Sequence, residues 1–157
     1  MTPEEIDKLV KDIRSIPKKF QKYRIEKTPQ EKHSLALSTM ILHPEIIGIN
    51  ESVEVKREYS LFDQNGNPVM SPDLIFIGKN ISTFVEYKSV DAKPFREKAR
   101  KQLESGLQYA PFRFIRDTTK LLYVYEDFQV LELFDGNWRD PEYFFVNNKQ
   151  SLKDRLT

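Results

Sequence analysis

The sequence predicts a single domain of mixed α/β (α+β) architecture over residues 1–157. Three observations carry that prediction. Two Thr-Pro-x-Glu boxes, Thr2–Glu5 and Thr28–Glu31, open stretches whose apolar residues recur at helical spacing. Several runs rich in Val, Ile, Tyr and Phe are separated by turn clusters and read as strands. One more helical pattern interrupts those runs, which is the mark of a mixed class.

Taken in order, the first helix covers residues 2–16, with Pro3 at its first position. Ile6, Leu9, Val10, Ile13 and Ile16 line one stripe of it, and it ends near Pro17. A basic stretch, Lys18 to Lys27, follows. The second helix starts at Pro29, carries Leu35, Leu37, Ile41 and Leu42, and stops before Pro44. "SVEVKREYSLF" (52–62) alternates Val53, Val55, Arg57 and Tyr59 against Glu54, Lys56, Glu58 and Ser60, which predicts one half-exposed strand. "DQNGNP" is a turn cluster.

Residues 73–77 and 81–88 predict two strands joined through Gly78-Lys79-Asn80. A turn centred between Lys79 and Asn80 sets Asp73 directly opposite Glu86. The helical pattern at 94–109 places Phe95, Ala99, Gln102, Leu103, Gly106 and Leu107 along one side. "KLLYVYED" and "FQVLELF" predict a further hairpin, Asp135-Gly136 a tight turn, and "NWRDPEYFFVNN" a last short strand. No internal repeat or interdomain linker interrupts the order.

Composition narrows the classes. An apolar share of 39% supports a core, and a charged share of 31% supports a water-exposed surface. No apolar run approaches the ~20 residues that span a bilayer, and the N-terminus has no secretory apolar region. The expectation is an intracellular protein without a membrane partner. Zero cysteines exclude disulfides and thiolate metal sites. With a net charge of +1, any nucleic-acid surface must come from local clustering.

The residues with chemistry lie in "SPDLIFIGKNISTFVEYKS" (71–89). Glu86 and Lys88 share one face of a strand flanked by Phe84, Val85 and Tyr87. An ionised Glu in such surroundings is costly unless paired, hydrogen-bonded or metal-bound. Asp73 across the hairpin over-supplies negative charge, which a hard divalent cation with oxygen ligands resolves. Mg²⁺ held this way positions a water and neutralises charge on a phosphate oxygen, with Lys88 beside it. A plain strand-end ion pair, with Asp73 a turn residue after Pro72, is the rival explanation.

"Pro72-Asp73 … Glu86-Tyr87-Lys88" resembles the signature of the PD-(D/E)XK nuclease superfamily. The order helix, three strands, helix, strand over residues 28–126 resembles that family's αβββαβ, restriction-endonuclease-like core. In size and style the chain also resembles small nucleases of archaeal filamentous viruses, which would place it in the host cytoplasm. The superfamily resemblance implies Asp73 and Glu86 as metal ligands, Lys88 as the catalytic lysine, Mg²⁺ as cofactor with Mn²⁺ as substitute, and DNA, foremost double-stranded, as substrate. Residues 1–27 and 127–157 fall outside that core, as a dimer interface or as elements shaping substrate access.

The family often has a further acid on the helix before the sheet. Glu31 matches that place, although its capping box also explains it. Glu58, at the end of the preceding strand, is another candidate. Some members carry Gln and Tyr on the helix after the Lys strand, and Gln102 and Tyr109 stand there, seven apart rather than at the shorter family spacing. Between residues 93 and 116 there are seven cations against two acids, so Lys93, Arg96, Arg100 and Lys101 are candidate phosphate contacts.

Other constellations give nothing. His33 and His43 lack metal-ligand spacing, Ser71 and Ser89 lack a nearby His, and no glycine loop cradles phosphate. Trp138, Tyr123 and Tyr125 read as core residues. A ribonuclease or resolvase with the same site, a nucleic-acid-binding module without turnover, and an interaction protein remain as rival functions.

Overall fold

Both Thr-Pro boxes open helices. The computed structural model describes residues 2–9 and 28–141. Residues 3–9 form α1, whose capping box is complete: Thr2 Oγ1 accepts from the Glu5 N–H at 3.1 Å, and the Glu5 carboxylate accepts from the Thr2 N–H at 3.2 Å. The rest of the expected first helix, the basic run 18–27 and residues 142–157 lie outside the described residues. In α2 (Pro29–Leu42), Thr28 Oγ1 accepts from the Glu31 N–H at 3.1 Å. The helix buries Ala36, Leu37, Thr39 and Met40. It stops ahead of Pro44, and a 3₁₀ turn, Pro44–Ile47, ends at Gly48 with φ 87°. Among the described residues no helix is long and apolar enough to cross a membrane.

The described residues divide into two compact units: residues 2–9, 28–50 and 141, and Glu51–Asp140. The second holds eight strands and α3 (Lys93–Tyr109). In chain order these strands are β1 (Glu54–Arg57), β2 (Leu61–Phe62), β3 (Pro68–Val69), β4 (Leu74–Ile77), β5 (Ile81–Lys88), β6 (Thr118–Tyr125), β7 (Gln129–Phe134) and β8 (Asn137–Arg139). Six make one sheet in the order β1-β4-β5-β6-β7-β8, and β2 pairs with β3 alone. Every pair in the large sheet is antiparallel except β5–β6. That parallel pair needs a long crossover, and α3 supplies it. The chain is thus of mixed α+β class, as its sequence predicts.

One expectation needs correction. Residues 52–62 do not form a single strand. Glu58 takes φ 49°, the left-handed region that a non-glycine residue rarely adopts, and the strand breaks there. Leu61–Phe62 then leaves the large sheet and pairs with Pro68–Val69 around the "DQNGNP" turn. In that turn Asp63 Oδ1 accepts from the N–H groups of Asn65 and Asn67, both at 2.9 Å.

Strand alternation decides which side chains share a face. The registers Ile75↔Phe84, Phe84↔Leu121 and Leu133↔Trp138 place these residues on one face. There Ile75, Ile77, Phe84, Leu121 and Leu133 bury with Leu103 of α3 and Phe114. So α3 covers this face. A Cβ on Gly106 would lie 2.9 Å from both the Phe84 ring and Pro72 Cδ, so only glycine lets the helix approach this closely. That approach matters, because Pro72 precedes Asp73.

Candidate functional site

The β4–β5 turn sets the site. The Gly78 N–H donates to the Ile81 carbonyl at 2.9 Å, and the register runs Leu74↔Val85 through Ile77↔Ser82. Continuing it by one residue brings Asp73 opposite Glu86. The Asp73 N–H donates to Glu86 Oε1 at 3.0 Å, and the Tyr87 N–H donates to Asp73 Oδ2 at 2.9 Å. Each carboxylate thus accepts from the opposite strand's backbone, which locks both acids at the mouth of the hairpin. Lys88 Nζ lies 2.9 Å from Glu86 Oε2. All three side chains belong to the face that α3 covers.

The electrostatics are unbalanced. Glu86 is 1% exposed. Burial first, and then the neighbouring Asp73 carboxylate, push the Glu86 carboxyl up to about 8; Lys88 pulls it down without cancelling them. Lys88 is itself mostly buried, its side chain 18% exposed. The site therefore sets two carboxylates beside Lys88 in a poorly solvated place.

A metal can be tested against that donor set. Among the described residues no group of three or more His, Cys, Asp or Glu side chains gathers as a ligand cluster. Two carboxylates nonetheless fit Mg²⁺, which keeps several waters and takes its other ligands from substrate phosphate. A second observation agrees. Gln102 of α3 reaches toward the turn before Asp73, its Nε2 3.5 Å from the Ser71 carbonyl, while its buried Oε1 has no partner. An orphaned buried oxygen of this kind is suited to ordered water.

The other sequence candidates fall in different places. The Glu58 N–H donates to the Asp73 carbonyl at 2.7 Å, so its backbone adjoins the site while its side chain is exposed. Glu31 sits in the first turn of α2, in the first unit, with its N–H held by the Thr28 cap. Lys93 and Lys101 are exposed on α3. Arg96 is committed elsewhere: its Nε and Nη2 donate to the two Asp91 oxygens at 2.8 and 2.7 Å, holding that carboxyl below its ordinary value. Arg100 pairs with Glu97 and Glu104 at 3.6 and 3.9 Å. Arg113 and Arg116 lie at the opposite end of the sheet, where the Arg116 Nε donates to the Gly78 carbonyl.

Sequence reasoning missed the residue beside Glu86. The parallel register pairs Glu86 with Tyr123, whose buried hydroxyl donates to Asp91 Oδ1 at 3.0 Å. Burial and that carboxylate raise the phenol above its usual range. It also missed Glu132, 1% exposed on the opposite face, between Lys120 at 3.3 Å and Arg139 at 3.0 Å. The signal for Glu132 was available: an acid standing inside the apolar run "QVLELF". No protein-family model, curated protein or solved structure matches this chain.

Proposed function

We propose that the protein is a divalent-metal-dependent nuclease that hydrolyses phosphodiester bonds of DNA. One observation carries the reading: two carboxylates interlocked across a hairpin, one of them buried and lifted to about 8, with a lysine 2.9 Å away. A plain Glu86–Lys88 ion pair does not call for a second carboxylate interlocked with the first, whereas a divalent cation held by oxygen ligands does. Asp73 and Glu86 would hold Mg²⁺ or Mn²⁺. When bound, such an ion supplies a Lewis acid at the phosphate and a lowered pKa for an adjacent water.

The chain's own groups do the rest. Asp73 and Glu86 are fixed by backbone N–H groups, so neither needs to reorganise on binding. The Lys88 ammonium donates to the water or to the non-bridging phosphate oxygens as negative charge builds on them. The α3 cover and the buried strands keep bulk water from screening these interactions.

The test incubates wild type and Glu86→Ala with linear and closed-circular DNA, single- and double-stranded, in Mg²⁺, Mn²⁺ or EDTA. Metal-dependent cleavage by wild type, lost in a folded Glu86→Ala, is the expected result. Wild type that leaves every substrate intact under both metals ends the reading, and Glu86–Lys88 reverts to a strand-end ion pair.

A further inference from the structure

The face of α3 that packs on the sheet continues past the point where the sheet ends. Phe95, Gln102 and Gly106 stand at i, i+7 and i+11, a single stripe along the helix. Gly106 lies against Pro72 and Phe84, and Gln102 against Ser71. The helix leaves the end of β5 and returns to the start of β6, so it runs antiparallel to β5. From Gly106 to Phe95 is about 16 Å along the helix axis, roughly the length of five strand residues. Measured from Phe84, that reach passes Lys88, the last residue of β5. Phe95 thus occupies a core-facing position with no strand beneath it, and it is 43% exposed.

This exposure is not fraying. The Arg96 fork grips Asp91, the Tyr123 hydroxyl donates to the same carboxylate, and the Arg96 guanidinium lies over the Tyr125 ring. The first helical turn is therefore pinned at the rim of the site, and it contains no acid. Lys98, three residues on from Phe95 and exposed, shares the stripe. Of the acids that follow β6, Asp127 acts on Tyr87, which points to the opposite face, while Glu126 acts on both Tyr87 and Tyr125. An exposed ring on a pinned helical turn and a cation, set beside the proposed phosphate-directed site, match the two parts of a nucleotide.

We propose that Phe95 is a stacking platform for an unpaired DNA base next to the scissile phosphate, with Lys98 taking the adjoining phosphate. The occupant is single-stranded DNA, because a base inside a duplex offers no free face for a protein ring. This rests on the nuclease reading of Asp73, Glu86 and Lys88 and narrows its substrate.

Binding is measured in EDTA, so that cleavage plays no part, with a short single strand carrying 2-aminopurine and with a duplex of the same sequence. The full chain is compared with Phe95→Ala, Phe95→Trp and Lys98→Ala. Wild type should quench the probe and prefer the single strand. Phe95→Ala should weaken that binding about tenfold or more, and Phe95→Trp should retain it. Lys98→Ala should reduce the salt slope by about 0.7. An exposed position makes misfolding of Phe95→Ala easy to exclude by thermal melting.

The inference is overturned if Phe95→Ala binds the single strand as wild type does, if the duplex is preferred, or if the single strand is not bound. Cleavage is scored apart, in Mg²⁺ and Mn²⁺. Cutting that persists unchanged in Phe95→Ala sinks this inference alone. Stacking without cutting under either metal sinks the nuclease reading and leaves the base site standing.

Discussion

Glu86 and Glu132 are both buried glutamates of the same sheet, each 1% exposed and each in contact with a cation. They point to opposite faces, and their company differs. Glu132 has two cations, Lys120 and Arg139, on its two oxygens. Glu86 has one cation and a second acid. The first arrangement satisfies its charge within the chain and explains itself as structure. The second sets a carboxylate against a carboxylate, and burial together with that neighbour raises the Glu86 carboxyl despite Lys88.

Breaking each carboxylate in turn tests the comparison. The largest stability effect is expected on the brace: Glu132→Ala removes the buried carboxylate that Lys120 and Arg139 share and should cost about 3–5 kcal/mol in urea unfolding. Metal-free Glu86→Gln, by contrast, should be neutral or stabilising at pH 8, since it removes a carboxylate whose ionised form burial disfavours. Equal losses at both positions would dissolve the distinction. For turnover the ranking reverses. Asp73→Asn or Glu86→Gln should lower DNA hydrolysis about 10²–10³-fold, while Glu132→Gln, corrected for folded fraction, should leave it unchanged.

A pH titration sharpens the contrast further. The Glu86 carboxyl is raised from 4.5 to about 8 in the folded protein. Between those values the folded chain keeps a proton that the unfolded chain has released, so stability falls as pH rises. Integrated over that window, the loss should be at most about 5 kcal/mol. Saturating Mg²⁺ should flatten the profile, and Glu86→Gln should abolish it. A metal-free profile already flat from pH 5 to 8 would contradict the assigned imbalance. The smallest effect belongs to packing: Gly106→Ala must displace Pro72 and should cost about 1–2 kcal/mol despite its better helix propensity. It should also weaken Mg²⁺-induced stabilisation, because Asp73 follows Pro72.

The hairpin was legible because a two-residue turn fixes every pairing after it. Placing the turn at Lys79-Asn80 gives the register Leu74↔Val85 and the Asp73–Glu86 meeting without further information. The helix starts were legible for a similar reason, since a Thr-Pro box acts within four residues. The break at Glu58 was not, because a positive φ at glutamate comes from its surroundings rather than from its own preference. The basic count over 93–116 carried no information on partners. It could not reveal that Arg96 is spent on Asp91, or that Arg116 sits at the far end of the sheet. Charge clusters in sequence become surfaces only after strand direction and partner choice have sorted them.

Asp73, Glu86 and Lys88 all come from one hairpin, whereas β6 reaches β5 only through the α3 crossover. Hairpins form in about 1–10 μs, well ahead of long-range parallel pairing. The two acids therefore meet while still in water, where unit charges 4 Å apart repel by only ~1 kcal/mol. Their repulsion grows late, as α3 and β6 close over them. A cation that relieves it acts on the closed state more than on the open hairpin, so Mg²⁺ should slow unfolding more than it speeds folding. With Mg²⁺ bound as proposed, the native lifetime of the protein would lengthen as the ion concentration around it rises.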